Sequence, residues 1–499
     1  MFINPTRETL DLTNKALSNG QNELRKGVSI SSGLTFYDLM GPAQNLYPVI
    51  TPLRNSIPRV RRLNPGDAAR WKQVNSLVGS GFDAMGWVPE GQRSGTMSYT
   101  TSSKSAAYVT LGEEDYLTFE AEAAAQGFED ENSMVTLRLL QKIMRKEEVA
   151  LLAGNASLSL GTPTAPTLSA SGTGATLPAL TYSVIVVALT LEGWKNSSLS
   201  AGISTTKTIT GADSKTFTLN GGSSNKSSNT TQAVTLGQTL FATVPAIQGA
   251  VAYAWYVGAA SSETLQAITT INSATFTAPL TGSRQAISAV TADCSVNASL
   301  AFDGLLTQSL NPNNISYVNT LATGTAGTGT TLTASGRGSV VEIDNMLQSM
   351  WDNYRVSPTV IYVNSQELKN ITNKVLGTGS SSLLRYTAGT TDSLPYSMVA
   401  GGTIEFYFNP FAADGGVKMP IKVHPDLPPG TIIAYCEQLP SWYQNNEVPN
   451  VAEVLTRRDY YRMDWPARSR QREYGVYAEE VLAIYATFAL GVITNIANG

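Results

Sequence analysis

Arg70-Trp71-Lys72-Gln73-Val74 and the stretch from Met97 to Leu111 read as the two extended arms of a long hairpin. Between them Gly79, Gly81, Gly86, Gly91 and Gly95 punctuate a tip that carries Phe82, Trp87, Pro89, Glu90 and Arg93. Such a tip is too long for a tight turn and too rich in glycine for a helix. A tryptophan exposed on a loop is unfavourable unless something covers it. Either Trp87 packs back on its own domain, or it packs on another subunit. The second reading makes Trp87, Glu90 and Arg93 candidate interface residues.

The hairpin leads into residues 113–153, whose pattern is helical. Acidic residues come first (Glu113, Glu114, Asp115, Glu120, Glu122, Glu129, Asp130, Glu131) and basic ones follow (Arg138, Lys142, Arg145, Lys146). That order complements a helix dipole. Leu137, Leu140, Met144 and Leu151 make one stripe at spacings of 3, 4 and 7. Gly127 divides a short helix from a long one, and Gly154 ends the long one as a glycine just past a helix terminus does.

Beyond Gly154 the composition changes. Residues 155–300 hold nine charged residues in 146, about 6%, against 63 in the other 353, about 18%. A step of that size marks a domain boundary. The low-charge segment has short β-type runs at roughly 8–12-residue spacing, which predicts a β-sandwich. The runs are Tyr182 to Leu189, Lys215 to Leu219, Val251 to Val257 and Leu265 to Ile271; Val251, Tyr253, Trp255 and Val257 share one face. After it, Ser339 to Tyr354 reads as an amphipathic helix and Thr359 to Val363 as a buried strand. Ser365 then caps a second helix. Residues 377–393 read as a loop, and alternating strands and turns run from Gly402 to Tyr435. The order is mixed α/β without a regular βαβ repeat.

The chain has 499 residues, 42% apolar and only 14% charged, with a formal net charge of −4. A typical charged fraction is about 25%. A dedicated nucleic-acid binder is basic, so that class is excluded. A protein that merely encloses nucleic acid is not. The one histidine, His424, rules out sites built on several histidines, and Cys294 and Cys436 lack metal or redox spacing. No phosphate-binding loop is complete: Gly336-Arg337-Gly338 and Gly377-Thr378-Gly379 read as surface loops. Glu113-Glu114 and Glu479-Glu480 read as solvated faces, because adjacent side chains diverge. The sequence thus points to no enzyme, no cofactor and no metal. Met1 to Glu8 lacks a signal pattern, and the apolar run Val481 to Ile496 is shorter than the roughly 20 residues a bilayer needs. These features predict a soluble protein of the cytoplasm, with the run as a buried strand or strand pair.

The one dense charge cluster runs from Arg457 to Arg472 and interleaves Arg457, Arg458, Arg462, Arg468, Arg470 and Arg472 with Tyr460, Tyr461 and Trp465. Arginine and aromatics are enriched at subunit interfaces. A solvated face and a nucleic-acid patch are the alternatives; the counter-charges Asp459, Asp464 and Glu473 favour the interface.

The order of these parts, closing with Arg-rich sequence and Val476-Tyr477-Ala478-Glu479-Glu480-Val481-Leu482-Ala483-Ile484-Tyr485-Ala486-Thr487-Phe488-Ala489-Leu490, resembles the major capsid proteins of tailed bacteriophages with the Hong Kong ninety-seven-type shell fold. The resemblance covers about residues 1–154 and 300–499 and implies an α+β fold. It implies an N-terminal arm and the start of a peripheral (P) domain at 1–63, and an extended E-loop hairpin at 64–112. The P domain with its spine helix follows at 113–154, an axial (A) domain at 301–455, and a return to the P domain at 456–499. Residues 155–300 depart from the minimal pattern and look like an inserted immunoglobulin-like sandwich. The implied function is a structural subunit that self-assembles as hexamers and pentamers into an icosahedral shell around double-stranded DNA, without sequence-specific binding and without a membrane. Scaffolding, portal and decoration proteins are the partners it suggests, with the virion as location and the host cytoplasm as site of assembly. Members that crosslink use a lysine on the hairpin; Lys72 and Lys104 lie in the arms, with no assignable acceptor. The rival is an exported surface or adhesive protein displaying an immunoglobulin-like domain.

Overall fold

In a computed structural model the described residues are 49–62, 66–76, 87–94, 100–125, 131–336, 338–377, 404–413, 415–443, 450–467 and 469–497. Residues 1–48 of the segment expected as N-terminal arm and start of the P domain (1–63), most of the hairpin tip (77–86 and 95–99), Gly127, residues 378–393 of the expected loop, Arg337 and Arg468 lie outside them. The chain divides into two units. One comprises residues 1–48 and 120–131; its described part is most of α2 (Phe119–Ala125), whose first turn carries Glu120 and Glu122. The rest of the chain forms the second unit, described from here on.

The chain enters through a short helix, α1 (Pro52–Ser56), and a short strand, β1 (Arg59–Arg61). The expected hairpin follows as β2 (Ala68–Ser76) and β3 (Thr100–Ala107), paired antiparallel from Ala68 opposite Ala107. Its second arm stops earlier than the sequence suggests. Val109–Thr118 forms a separate strand, β4, in another sheet. Residues 113–118, expected to be helical, are therefore extended. Buried Val109 and Leu117 with half-buried Leu111 sit on alternate residues, and this period-2 pattern prevails over the acidic run that mimics a helix start.

The long helix α3 (Glu131–Ala153) has 23 residues and is therefore roughly 34 Å long. Its buried stripe is Val135, Leu139 and Ile143, then Glu147, Glu148, Leu151 and Leu152. The expected stripe is off by up to two positions: Leu137 is 46% exposed, and Leu140 and Met144 are half-buried. Val135, Leu139 and Ile143 pack on Leu117, Tyr474 and Val476 of the sheet beneath, while Leu151 and Leu152 reach the main core.

Between residues 155 and 300 lie two sheets. Strands β5 (Thr167–Ser171), β10 (Thr239–Thr243) and β13 (Ser273–Phe276) form one. The other holds β6 (Leu180–Leu189), β9 (Thr230–Val234), β11 (Ala252–Gly258) and β12 (Thr264–Thr269). Strands β7 (Thr206–Thr210) and β8 (Thr216–Asn220) form a two-stranded ribbon. Tyr182, Val184, Val186, Tyr253, Trp255 and Val257 pack against Leu240, Ala242, Ala274 and Phe276 across the two sheets. On the other face of β6 and β11, Ile185, Val187, Leu189, Ala254 and Tyr256 are covered by Ile203, Ile287 and Val290. Burial on both faces is why β6 reads as an unbroken apolar run. A short helix, α4 (Leu191–Lys195), capped by the Thr190 hydroxyl, follows β6.

The segment's two ends run side by side. Gly304 N–H donates to Gly154 O at 2.8 Å, Asn297 N–H to Asn155 O at 3.0 Å, and the Asn155 amide to Ser295 O at 2.8 Å. A Cβ on Gly154 would lie 2.5 Å from Phe302 O, and one on Gly304 2.6 Å from Ala150 O, so the crossing requires glycine at both positions.

After α5 (Leu305–Leu310) come β14 (Tyr317–Thr320), α6 (Val341–Tyr354), β15 (Val360–Val363) and α7 (Ser365–Gly377). Asn364, not Ser365, caps α7: its Oδ1 accepts from Gln366 N–H at 3.0 Å. Then follow β16 (Phe406–Asn409), β17 (Val417–Val423), β18 (Ile432–Tyr435), β19 (Ala452–Asp464), β20 (Gln471–Ile484) and β21 (Leu490–Thr494). One sheet has the order β1-β19-β20-β4; a six-stranded sheet has the order β14-β21-β18-β15-β17-β16. The apolar C-terminal run is a strand pair split between them. Its second member, β21, pairs with β14 and β18. The assembly of helices, mixed sheets and antiparallel pairs is α+β.

Candidate assembly surfaces and a buried carboxylate cluster

The base of the β2–β3 hairpin is fixed to the main core. The Trp71 indole donates to Ile484 O at 3.0 Å, the buried Gln73 amide to Thr487 Oγ1 at 2.5 Å, and Lys104 Nζ to Asn314 Oδ1 at 3.2 Å. The described tip contrasts with this base. Every residue from Trp87 to Ser94 is exposed, and Trp87 retains 91% of its surface. Gly91, at φ +79°, takes the third position of a turn closed by Gln92 N–H on Pro89 O. Trp87, Glu90 and Arg93 thus share one exposed loop end.

The arginine cluster lies on the β19–β20 hairpin. Register shifts between Thr456 and Arg458, and between Arg458 and Tyr461, re-aim successive side chains, as bulges do. Arg457 Nε binds Glu479 Oε2 at 2.5 Å and lies over the Tyr108 ring. Arg458 is exposed and stacks over Tyr461, which itself stacks on Tyr477. Arg472 lies over Phe119. Arg61, Arg457, Arg458 and Glu479 line one open depression. Beyond it, Tyr116 on β4, Met463 on β19 and Trp465 just past the end of β19 are exposed. Arg470 is exposed as well. The structure brings Arg457 and Arg458 together, with Arg470 and Arg472 at the far end of the hairpin.

One constellation has no counterpart in the sequence reading. Glu147 and Glu148, adjacent on α3, are both fully buried and point to different partners. Glu148 caps α1 from 95 residues away: Oε1 accepts from Leu53 N–H and Oε2 from Arg54 N–H, both at 2.8 Å. Thr51 makes no side-chain cap bond, so Glu148 supplies the acceptors that the helix start needs. His424 Nδ1 accepts from Asp426 N–H, so its Nε2 carries the proton and donates to Glu148 Oε1 at 2.7 Å. Asp426 in turn pairs with Lys195 of α4.

Glu147 contacts Arg54, Arg59 and the Tyr460 hydroxyl. Arg59 also reaches Asp459 at 2.7 Å and Glu480 at 2.9 Å. Glu480, expected on a solvated face, is fully buried. Burial, then the charge of Glu147, pushes its carboxyl up to about 8, against the opposing pull of Arg59. Burial also raises Glu147, again opposed by Arg59 and Arg54. Adjacent acids at 147–148 and 479–480 were the available signal. A helix carries neighbouring residues 100° apart and a strand 180° apart, and only the tertiary packing shows that both directions are interior.

No family model and no curated protein matches the chain. Among solved structures it is similar to tailed-phage and related capsid subunits. The capsid of the native GTA particle aligns with 94% of this chain and 99% of that one, at 8% identity and a TM-score of 0.41. The capsid of Myoviridae phage XM1 covers the same shares at 9% identity and a TM-score of 0.39. The cyanophage A-1(L) capsid covers 93% and 97%, at 10% identity and a TM-score of 0.40.

Proposed function

We propose that the chain is the major structural subunit of a closed protein shell, of the tailed-phage capsid type, that encloses double-stranded DNA. The observation that carries this reading is the hairpin: its base is bonded into the core, and its tip holds Trp87 at 91% exposure. A tryptophan held out on a fixed base is unfavourable in a lone subunit and valuable as an anchor on a neighbour. Trp87, Glu90 and Arg93 are one contact surface in this reading; Arg457, Arg458, Arg470 and Arg472 are another, with Arg468 assigned to it from sequence. Hexamers and pentamers of the chain form the shell, with scaffolding, portal or decoration proteins as further partners during assembly in the host cytoplasm. Residues 155–300 form an inserted sandwich, a reading supported by the paired ends at Gly154 and Gly304. The role is structural and not catalytic; the single histidine is taken up by its buried bond to Glu148. Negative-stain microscopy of the purified full chain tests this. Closed shells, tubes or rings are expected, and a monodisperse monomer at all concentrations overturns the reading.

A further inference from the structure

We propose that the seating of the α1–β1 segment against the long helix and the β19–β20 hairpin is proton-linked, with Glu480 as the group that takes up and releases the proton. The geometry gives the buried Glu480 one cation, and that cation is shared. Arg54 from α1 and Arg59 from β1 face three carboxylates: Glu147 from α3, Asp459 from β19 and Glu480 from β20. Tyr460 from β19 contributes a hydroxyl to Glu147, and the β4 residue opposite Glu480, Val109, is apolar. Arg59 is shared among all three acids. Two buried atoms in this cluster, Arg59 Nε and Glu480 Oε1, have no hydrogen-bond partner among the described residues. With Asp459 56% exposed to water and Arg54 committed to Glu147, ionisation leaves on Glu480 a buried negative charge opposed only by the shared Arg59, which is unfavourable. Protonating Glu480 removes it. The position of Glu480, held at about 8 by burial and by Glu147, agrees with that.

The sign follows from linkage. Glu480 keeps its proton in the seated state up to about pH 8 and loses it near the ordinary carboxylate range, about 4.3, when the segment opens into water. Opening therefore releases a proton between about pH 5 and 8, and seating weakens as pH rises through that window. Above it the dependence levels off.

Hydrogen–deuterium exchange on the full chain, corrected for intrinsic rates, reads this at the amides of residues 53–62. Their protection is expected to fall by up to about tenfold per pH unit between roughly pH 5 and 8, while amides of β6 and β11 do not follow. Glu480→Gln keeps the shape and removes the titration, so protection in that variant is expected to stay flat. Constant protection in the unaltered chain, or an unchanged slope in Glu480→Gln, overturns the proposal. A Glu480→Gln chain that circular dichroism shows to be unfolded leaves the decision to infrared spectroscopy of the unaltered protein. There, loss of a protonated-carboxyl band with a midpoint near pH 8 supports the proposal, and absence of any such band at pH 6 overturns it.

Discussion

Trp87 and His424 are opposite cases of a lone conspicuous residue. Trp87 is 91% exposed, so its truncation removes almost nothing from the folded subunit. Trp87→Ala is expected to leave the melting temperature of the unassembled chain nearly unchanged and to weaken each contact between subunits by about 2 kcal/mol. Melting curves of the subunit and shell yield by sedimentation check the two halves separately, and a large loss of subunit stability sinks the interface assignment. His424 is fully buried and donates to the acid that caps α1. His424→Ala is expected to destabilise the subunit by about 1–3 kcal/mol, the range for depriving a buried acceptor of its donor. A calorimetric melt that does not move contradicts this. In the sequence Trp87 could be singled out because glycines surround it. The role of His424 could not, since its partner Glu148 lies on a distant helix that only folding brings to it.

At the scale of elements, strands buried on both faces were the most legible, because β6 is apolar from Val184 to Leu189 and β11 from Ala252 to Val257. The helices α6 and α7 were legible from period and punctuation. The failures share a cause. Val109–Thr118 carries acids that suit a helix start, yet its apolar residues alternate and β20 pairs with it along ten residues. On α3 the sequence offers several apolar stripes; the chosen one includes Leu137, which faces solvent because the sheet lies under Val135, Leu139 and Ile143. The segment 155–300 yields a further prediction. Its ends meet at Gly154 and Gly304, so a short Gly/Ser linker can replace it, and the isolated segment has its own two-sheet core. It is also docked: Leu191 and Val251 belong to the main core, Lys195 pairs with Asp426, and Asn272 N–H donates to Asn495 Oδ1 at 3.0 Å. The isolated segment is expected to melt cooperatively. The shortened chain is expected to fold with lower stability, by about 1.5–3 kcal/mol for each buried side chain lost from the main core. Circular dichroism melts of both pieces check this; an unfolded segment together with a collapsed remainder shows the boundary to be misplaced.

For the whole molecule, charge decides between joining subunits and holding nucleic acid. The chain is acidic, at −4, and only 14% charged, which gives no general attraction for phosphate. Within that background the β19–β20 arginines pack over aromatic rings, Arg457 over Tyr108, Arg458 over Tyr461 and Arg472 over Phe119, and Arg457 also pairs with Glu479. A guanidinium packed over an aromatic ring can still donate N–H groups to a carboxylate. Close pairs across an interface can contribute about 1.5 kcal/mol or more, while exposed pairs within one chain give little. A contact repeated around a ring multiplies even the smaller figure. Arg458→Glu combined with Arg472→Glu is therefore expected to leave the subunit folded, since both side chains are exposed, and to block assembly. Gel filtration reads this as a shift from large species to monomer at unchanged melting temperature. The opposing outcome is equally specific. If the double variant assembles normally and its shells lose DNA, or lose a salt-dependent affinity for it, the arginines face the contents of the shell and not its neighbouring subunits.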